Sequence, residues 1–281
     1  MKKNYLFLLA LLCCAMYSCK EKQDANAEAE STASEGSEYS IISEEFSLES
    51  DSTTMNLYMA YRDDIDSTAP GVLVIHEWWG HNSYTRERAD MLAELGYVAL
   101  ALDMYGEGKI ADHPSKAGEF AGMVMSNLDD SRKRFEVSYE ALKANANVDS
   151  SRIAAVGYCF GGSFALCMAN YGYDLAAVAA FHSGVTLPVP PSENTKARIL
   201  VCNGEADPMI SAESAQAFKD ALDALELEYE YNSYPGATHA FTNPDADSLG
   251  AKFELPLAYN AEADAKAWEA LKNLLAESFT E

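Results

Sequence analysis

Ile153-Ala154-Ala155-Val156-Gly157-Tyr158-Cys159-Phe160-Gly161-Gly162 is the stretch whose reading decides the fold. An apolar run of strand character ends at Gly157. The residues that follow have the layout of a nucleophile elbow, Gly-x-Nuc-x-Gly, with cysteine where serine usually stands. Such a turn holds one side chain in a strained, exposed position, and only small neighbours let the strand and the next helix pack so closely. A helix starting there aims free N–H groups and its positive dipole end at the sulfur, which favours thiolate and any nearby oxyanion. Read alone, the residue also fits a small apolar cysteine on a glycine-rich turn, because free cysteines are commonly buried.

Outward from the elbow, strand and helix patterns alternate. Phe46 to Glu49 and Met55 to Tyr61 read as an opening antiparallel pair. Val72 to Ile75 is a buried strand, and Tyr84 to Leu95 an amphipathic helix closed by Gly96. Tyr97 to Leu102 is the next strand, followed by a long helical region from Ser115 to Asn145. After the elbow strand come a helix from Gly161 to Tyr171 and strands at Leu175 to Phe181 and Ile199 to Cys202. A helix at Ala212 to Leu225, a strand at Leu227 to Tyr231 and a closing helix at Ala261 to Ala276 complete the chain. This order predicts an α/β fold with a mostly parallel central sheet covered by helices on both faces. In such sheets, function gathers at the carboxyl ends of the strands.

The chain has 281 residues and six cysteines. Residues 1–19 read as an export signal: Lys2 and Lys3, an apolar core from Tyr5 to Tyr17, then Ser18 before Cys19. The core is too short and wrongly flanked for an ordinary membrane-spanning helix. Met16-Tyr17-Ser18-Cys19 resembles a bacterial lipobox, with Cys19 as the lipidated residue; a plain secretory signal cut nearby is the alternative. Both readings place the mature protein outside the cytoplasm, and the lipobox adds an anchor in the membrane of a bacterial cell envelope. Residues 20–40, rich in Glu, Ala, Ser and Asp, read as a disordered acidic tether. Residues 41–281 fit one large α/β domain. A formal charge of -24 excludes nucleic acid and anionic membrane surfaces as electrostatic partners. Three cysteines lie in the export segment, and Cys159, Cys167 and Cys202 form no disulfide framework. Cys167 and Cys202 read as core residues.

A nucleophilic cysteine needs a base and a group that orients the base. Among His76, His81, His113, His182 and His239, only His239 sits late in the chain, in Pro235-Gly236-Ala237-Thr238-His239-Ala240-Phe241. Asp207, in the loop after Ile199 to Cys202, is the candidate to accept the His239 N–H, with Glu205 a weaker rival. Judged alone, each is also an ordinary loop residue. His76-Glu77-Trp78-Trp79-Gly80-His81 superficially suggests zinc, but its histidines are five apart and end a strand, whereas H-E-x-x-H needs a helix and a spacing of four. The sequence therefore implies neither metal nor cofactor. This loop is better placed to supply an oxyanion donor, the Trp78 amide acting with that of Phe160. The indole rings then line an apolar pocket, or pack as core.

Four separated motifs (G-Y-C-F-G-G, H-E-W-W-G, the Asp207-Pro208 loop and G-x-x-H-x-F) together resemble the dienelactone hydrolase family over residues 45–278. The resemblance implies an α/β-hydrolase fold with Cys159, Asp207 and His239 as the triad. It implies that Glu77 contacts the resting thiol and is displaced by substrate, so that thiolate forms only when needed. It also suggests Trp79, Tyr105, Lys109 and Phe241 as pocket residues. Two arginines that hold the substrate carboxylate in that family are missing: Gly106, Glu107, Gly108 and Lys109 follow Asp103-Met104-Tyr105, and Thr242 and Asn243 follow His239. Lys109 lacks the planar fork of a guanidinium. The expectation is a cysteine-dependent hydrolase of small carboxylic esters or lactones working through a thioester. The rival readings are an exported binding protein for a small or glycan ligand on the same fold, and a thiol redox enzyme, for which no resolving cysteine is close in sequence.

Overall fold

The computed structural model describes residues 30–33, 39–51 and 53–280. Strands β1 (Glu30–Ala33), β2 (Ser40–Ser50) and β3 (Thr53–Arg62) form an antiparallel ribbon. Strand β4 (Ala69–Ile75) leads through helix α1 (Ser83–Glu94) to β5 (Val98–Leu102). Helices α2 (Pro114–Ser126) and α3 (Leu128–Ala144) lead to β6 (Val148–Tyr158), which carries the elbow, and α4 (Phe160–Tyr171) follows. The remainder is β7 (Ala177–Phe181), β8 (Arg198–Gly204), α5 (Ala212–Ala224), β9 (Tyr229–Tyr234), α6 (Ala246–Phe253) and α7 (Ala261–Ser278).

The described strands form one sheet in the order β1-β2-β3-β5-β4-β6-β7-β8-β9. Every pairing from β5–β4 to β8–β9 is parallel, and the first three are antiparallel. Alternation along a strand sends successive side chains to opposite faces, and β4 shows the consequence. Leu73 and Ile75 join Leu100, Phe135 and Phe164 on the face covered by α3 and α4. Val72 and Val74 join Tyr84, Leu92 and Leu271 on the face covered by α1 and α7. All four side chains of this run are fully buried, each contributing about 1.5–3 kcal/mol relative to exposure. The chain reverses direction across the sheet between β4 and β6, the switch point where an open parallel sheet leaves a crevice at its carboxyl edge. Register aligns Ile75 with Gly157, Tyr158 with Phe181, Phe181 with Cys202 and Gly204 with Tyr234. The loops after β4, β6, β8 and β9 therefore emerge along one edge.

Several expectations shift. The tether reading fails at Glu30–Ala33, where a strand pairs with Ser40–Ser43; the exposed edge of β2 supplies backbone partners that the composition of residues 20–40 does not reveal. The rest of that tether up to residue 38, the export signal and Cys19 lie outside the described residues. The long helical region breaks at Asn127 (φ -124°, ψ 65°), which ends α2 and precedes α3. Helix α6 is additional, and β9 begins two residues later than Leu227. No helix among the described residues is long and apolar enough to cross a membrane.

The elbow depends on missing Cβ atoms. A Cβ on Gly161 would lie 2.5 Å from the His76 carbonyl oxygen and nearer still to that of Ile75, both backbone atoms of β4 and its loop. Neither can move without shifting the central strand. Gly161→Ala is expected to lower unfolding free energy by at least about 2 kcal/mol, read from urea denaturation; stability within about 0.5 kcal/mol of wild type contradicts this account of the turn.

Candidate active site

Cys159 is the turn between β6 and α4, with φ 54° and ψ -118°. Its N–H donates to the Phe181 carbonyl at 2.9 Å, and its own carbonyl accepts from Gly162 and Ser163 at 3.2 and 3.3 Å. Those bonds hold the backbone in a region that costs a non-glycine residue about 1–3 kcal/mol. They also leave the sulfur at the N-terminus of α4, partly exposed, while Cys167 and Cys202 are buried as expected. Burial pushes the Cys167 thiol up to about 11 and the Cys202 thiol up to about 12, so neither is poised to react.

The candidate base comes from the loop after β9. His239 Nε2 lies 3.0 Å from Cys159 Sγ, and His239 Nδ1–H donates to Asp207 Oδ2 at 2.7 Å. Asp207 sits in the loop after β8, where its Oδ1 accepts the Met209 N–H at 2.8 Å. The two loops are tied by the Ala206 N–H donating to the Ala237 carbonyl at 3.0 Å. Asp207 and His239 are both buried, whereas the rival Glu205 points to solvent. Burial opposes a charge on His239, but the adjacent Cys159 sulfur and the Asp207 carboxylate outweigh it and raise its pKa to about 10. The neighbouring imidazoles behave oppositely. Burial lowers His76 to about 4, and burial, with His239 and Arg88 nearby, drives His182 well below the usual value. The proton is therefore concentrated on the one ring that touches both sulfur and carboxylate.

Glu77 enters from the loop after β4. Its carboxyl is buried and accepts a hydrogen bond from Asn243 Nδ2 at 2.6 Å. The contact formed is thus with Asn243, not the expected one with the thiol, whose partner is His239. Burial raises Glu77 to about 7, against the lowering effects of Asn243, His239 and Arg88. Trp78 is half-buried, and its N–H reaches no backbone carbonyl among the described residues. Phe160 opens α4, where an N–H has no acceptor inside the helix.

The expected pocket residues divide. Tyr105 donates to the Trp78 carbonyl at 2.9 Å and packs on Phe160 at 5.6 Å between ring centroids. Tyr105 and Lys109 line a cavity of about 430 Å³ with Thr53, Met123 and Arg134. Lys109 pairs with Glu107 at 3.0 Å. Trp79 is buried in a small apolar cluster and stacks on Phe253 at 5.8 Å. Phe241 is no pocket wall: it is fully buried beneath the loop, packed on His182 and Tyr234. Ala240 between them takes a left-handed backbone (φ 58°), which breaks strand alternation and turns Phe241 into the core while His239 faces Cys159.

The residues that sequence reasoning passed over are those bracing the His239 loop. Thr242 Oγ1 lies 2.6 Å from the Tyr84 hydroxyl and 2.7 Å from His182 Nε2. The Thr242 carbonyl accepts from Arg88, which also pairs with Asp264 at 2.8 Å. Thr242 and Asn243 were notable only as positions without a guanidinium. The one available signal is Arg88 on the same helical face as Tyr84 and Leu92, four residues to either side.

A parallel sheet flanked by helices, an elbow after its central strand, an aspartate after β8 and a histidine after β9 define the α/β-hydrolase class. Within it, the profile of the dienelactone hydrolase family matches residues 55–279, and the chain belongs to that family. It is similar to protein Usf of Aquifex pyrophilus, at 31% identity over 64% of this chain and 80% of the relative. A putative carboxymethylenebutenolidase of Aquifex aeolicus is 28% identical over 73% of this chain and 86% of its own length. Among solved structures, a dienelactone hydrolase-like promiscuous phosphotriesterase, P91, from metagenomic libraries superposes with a TM-score of 0.78 at 30% identity, covering 84% of this chain and 98% of that one. The protein is therefore a hydrolase of this family.

The Glu77 proton gives a pH test. The folded state binds it more tightly than the unfolded chain, so its contribution to stability is complete below pH 4.5 and lost as pH rises through about 7. Glu77→Gln removes that titration. Relative to wild type, the variant is expected to gain up to roughly 3 kcal/mol between pH 4.5 and 8, read from urea unfolding at both values; a difference that stays constant with pH contradicts it.

Proposed function

We propose that the protein is a cysteine-dependent hydrolase of carboxylic esters or lactones, working through a thioester on Cys159. The observation that carries this is the line of contacts from Cys159 Sγ through His239 to Asp207, at 3.0 and 2.7 Å, built on a strained turn. The sulfur attacks the ester carbonyl carbon, and the carbonyl electrons move onto oxygen. The Trp78 and Phe160 amides stabilise that oxyanion; one such donor is typically worth about 3 kcal/mol in the transition state. As the intermediate collapses to the thioester, the His239 imidazolium gives its proton to the departing alkoxide. Neutral His239, oriented by Asp207, then takes a proton from water, whose oxygen attacks the thioester. The acid leaves, and the sulfur is again paired with the imidazolium.

The printed name of the Aquifex aeolicus relative, a putative carboxymethylenebutenolidase, supports lactones as a substrate class. The side chains around the site favour uncharged substrates. Thr242 and Asn243 are buried and bonded inward, Lys109 is tied to Glu107, and Arg134, the guanidinium lining the neighbouring cavity, is held by the Met104 carbonyl and Asp130. The same proposal places the enzyme outside the cytoplasm, held by a lipid on Cys19. That part rests on the charged start, apolar run and cysteine of residues 1–19.

Hydrolysis of p-nitrophenyl acetate and of a dicarboxylate-bearing lactone, by wild type and by Cys159→Ala, tests the reading. The expected result is turnover of the neutral ester by wild type, weak turnover of the acidic lactone, and a loss of at least about 10³-fold in kcat/KM in the variant. Equal rates for wild type and variant contradict the assignment of the nucleophile.

A further inference from the structure

One loop, residues 236–245, makes both of the hydrogen bonds that set the state of the thiol. His239 reaches Cys159 Sγ at 3.0 Å, and four residues later Asn243 Nδ2 donates to Glu77 Oε2 at 2.6 Å. The Asn243 side chain is fixed at both ends, because its Oδ1 accepts the Asp245 N–H at 2.9 Å. The backbone between is fixed too. Tyr84 and His182 hold the Thr242 hydroxyl, and Arg88, anchored on Asp264, holds its carbonyl. Asn243 is thereby presented to Glu77 by four other side chains, all from outside the loop.

A buried carboxylate needs a donor, and among the described residues the Asn243 amide is the donor that the Glu77 side chain has. The charged and titratable groups facing Glu77 are His239 and Asp245 from the same loop, Arg88 and Tyr84 from α1 and Tyr158 from β6. Those facing Cys159 are His239 and Tyr105. Arg88 is already engaged by Thr242 and Asp264. Deprived of Asn243, the Glu77 carboxylate has the distant charge of the engaged Arg88 and the nearby His239 to draw on, and at His239 it competes with the sulfur.

We infer that Asn243 is a positioning residue that holds the Glu77 carboxyl away from the Cys159–His239 pair, so that the sulfur is paired with the base before substrate arrives. This rests on the reading of Cys159 as the nucleophile. Its consequence for substrate choice is direct: no anionic group is required to free the thiol, and an uncharged ester meets an already activated site. The resting enzyme is correspondingly open to electrophiles.

The test is alkylation of the free enzyme by iodoacetamide from pH 5 to 9, with the modified residue located by peptide mass. Among the described cysteines Cys159 is partly exposed, whereas Cys167 and Cys202 are buried, and peptide mass separates Cys159 from Cys13, Cys14 and Cys19. Wild type is expected to label at Cys159 at both pH 6 and pH 8.5. Asn243→Ser keeps an oxygen for the Asp245 N–H but cannot reach Glu77. It is expected to label at the wild-type rate at pH 6, where Glu77 is protonated, and about tenfold more slowly at pH 8.5, where the Glu77 carboxylate pairs with His239. In the Glu77→Gln background, Asn243→Ser is expected to change the rate less than twofold, since the competing carboxylate is gone. Glu77→Gln alone labels at the wild-type rate, which keeps the test decisive if Asn243→Ser does not fold. The inference is overturned by an unaltered profile in Asn243→Ser, by the same tenfold loss in the Glu77→Gln background, or by slow labelling of Glu77→Gln itself. A wild type that labels but cleaves no ester fails the hydrolase reading and leaves this comparison intact.

Discussion

The backbone turn at Cys159 is the constraint on which the rest depends. A cysteine at φ 54° and ψ -118° is strained, and it persists because its N–H, its carbonyl and its glycine neighbours are all committed. Gly157, Gly161 and Gly162 let α4 touch both β6 and the end of β4, where even a methyl group would collide with backbone. The central strands, whose apolar side chains are buried on both faces, supply the rigidity. Their parallel register then delivers the other participants, since the loops after β4, β8 and β9 must end beside the loop after β6.

Electrostatics follows from that placement. Three histidines lie close to the site, and burial alone would leave all three neutral. Only His239 has a sulfur on one nitrogen and a carboxylate on the other, and only its pKa is raised. Burial raises the Glu77 carboxyl to about 7, still below His239, so near neutrality the imidazole keeps its proton. Asn243 links these two groups mechanically because it shares a loop with His239. The chemistry of the site is thus set by one loop as much as by one turn.

Much of this was legible in the sequence for a physical reason. The elbow is specified by local backbone sterics, so Gly157 to Gly162 announces it, and the order of Cys159, Asp207 and His239 follows from strand-helix alternation. Features fixed by tertiary contact were not legible. The break at Asn127 has no proline or glycine to mark it, and the strand at Glu30–Ala33 depends on an available edge rather than on its own composition. Phe241 faces the core because Ala240 turns the backbone left-handed just after His239, and an alanine does not announce such a turn. Asn243 read as an absence, the lack of an arginine, and its role appears only when Glu77 is seen at 2.6 Å.

The most direct measurement of the central claim is the protonation of His239 in the free enzyme, by ¹⁵N NMR of imidazole-labelled protein. The account predicts that both ring nitrogens of His239 are protonated at pH 7.5, with titration near 10, and that Cys159→Ala lowers that titration because the sulfur is the largest of its raising influences. A His239 ring that is neutral at pH 7.5 in wild type, and unchanged by loss of the sulfur, would contradict it.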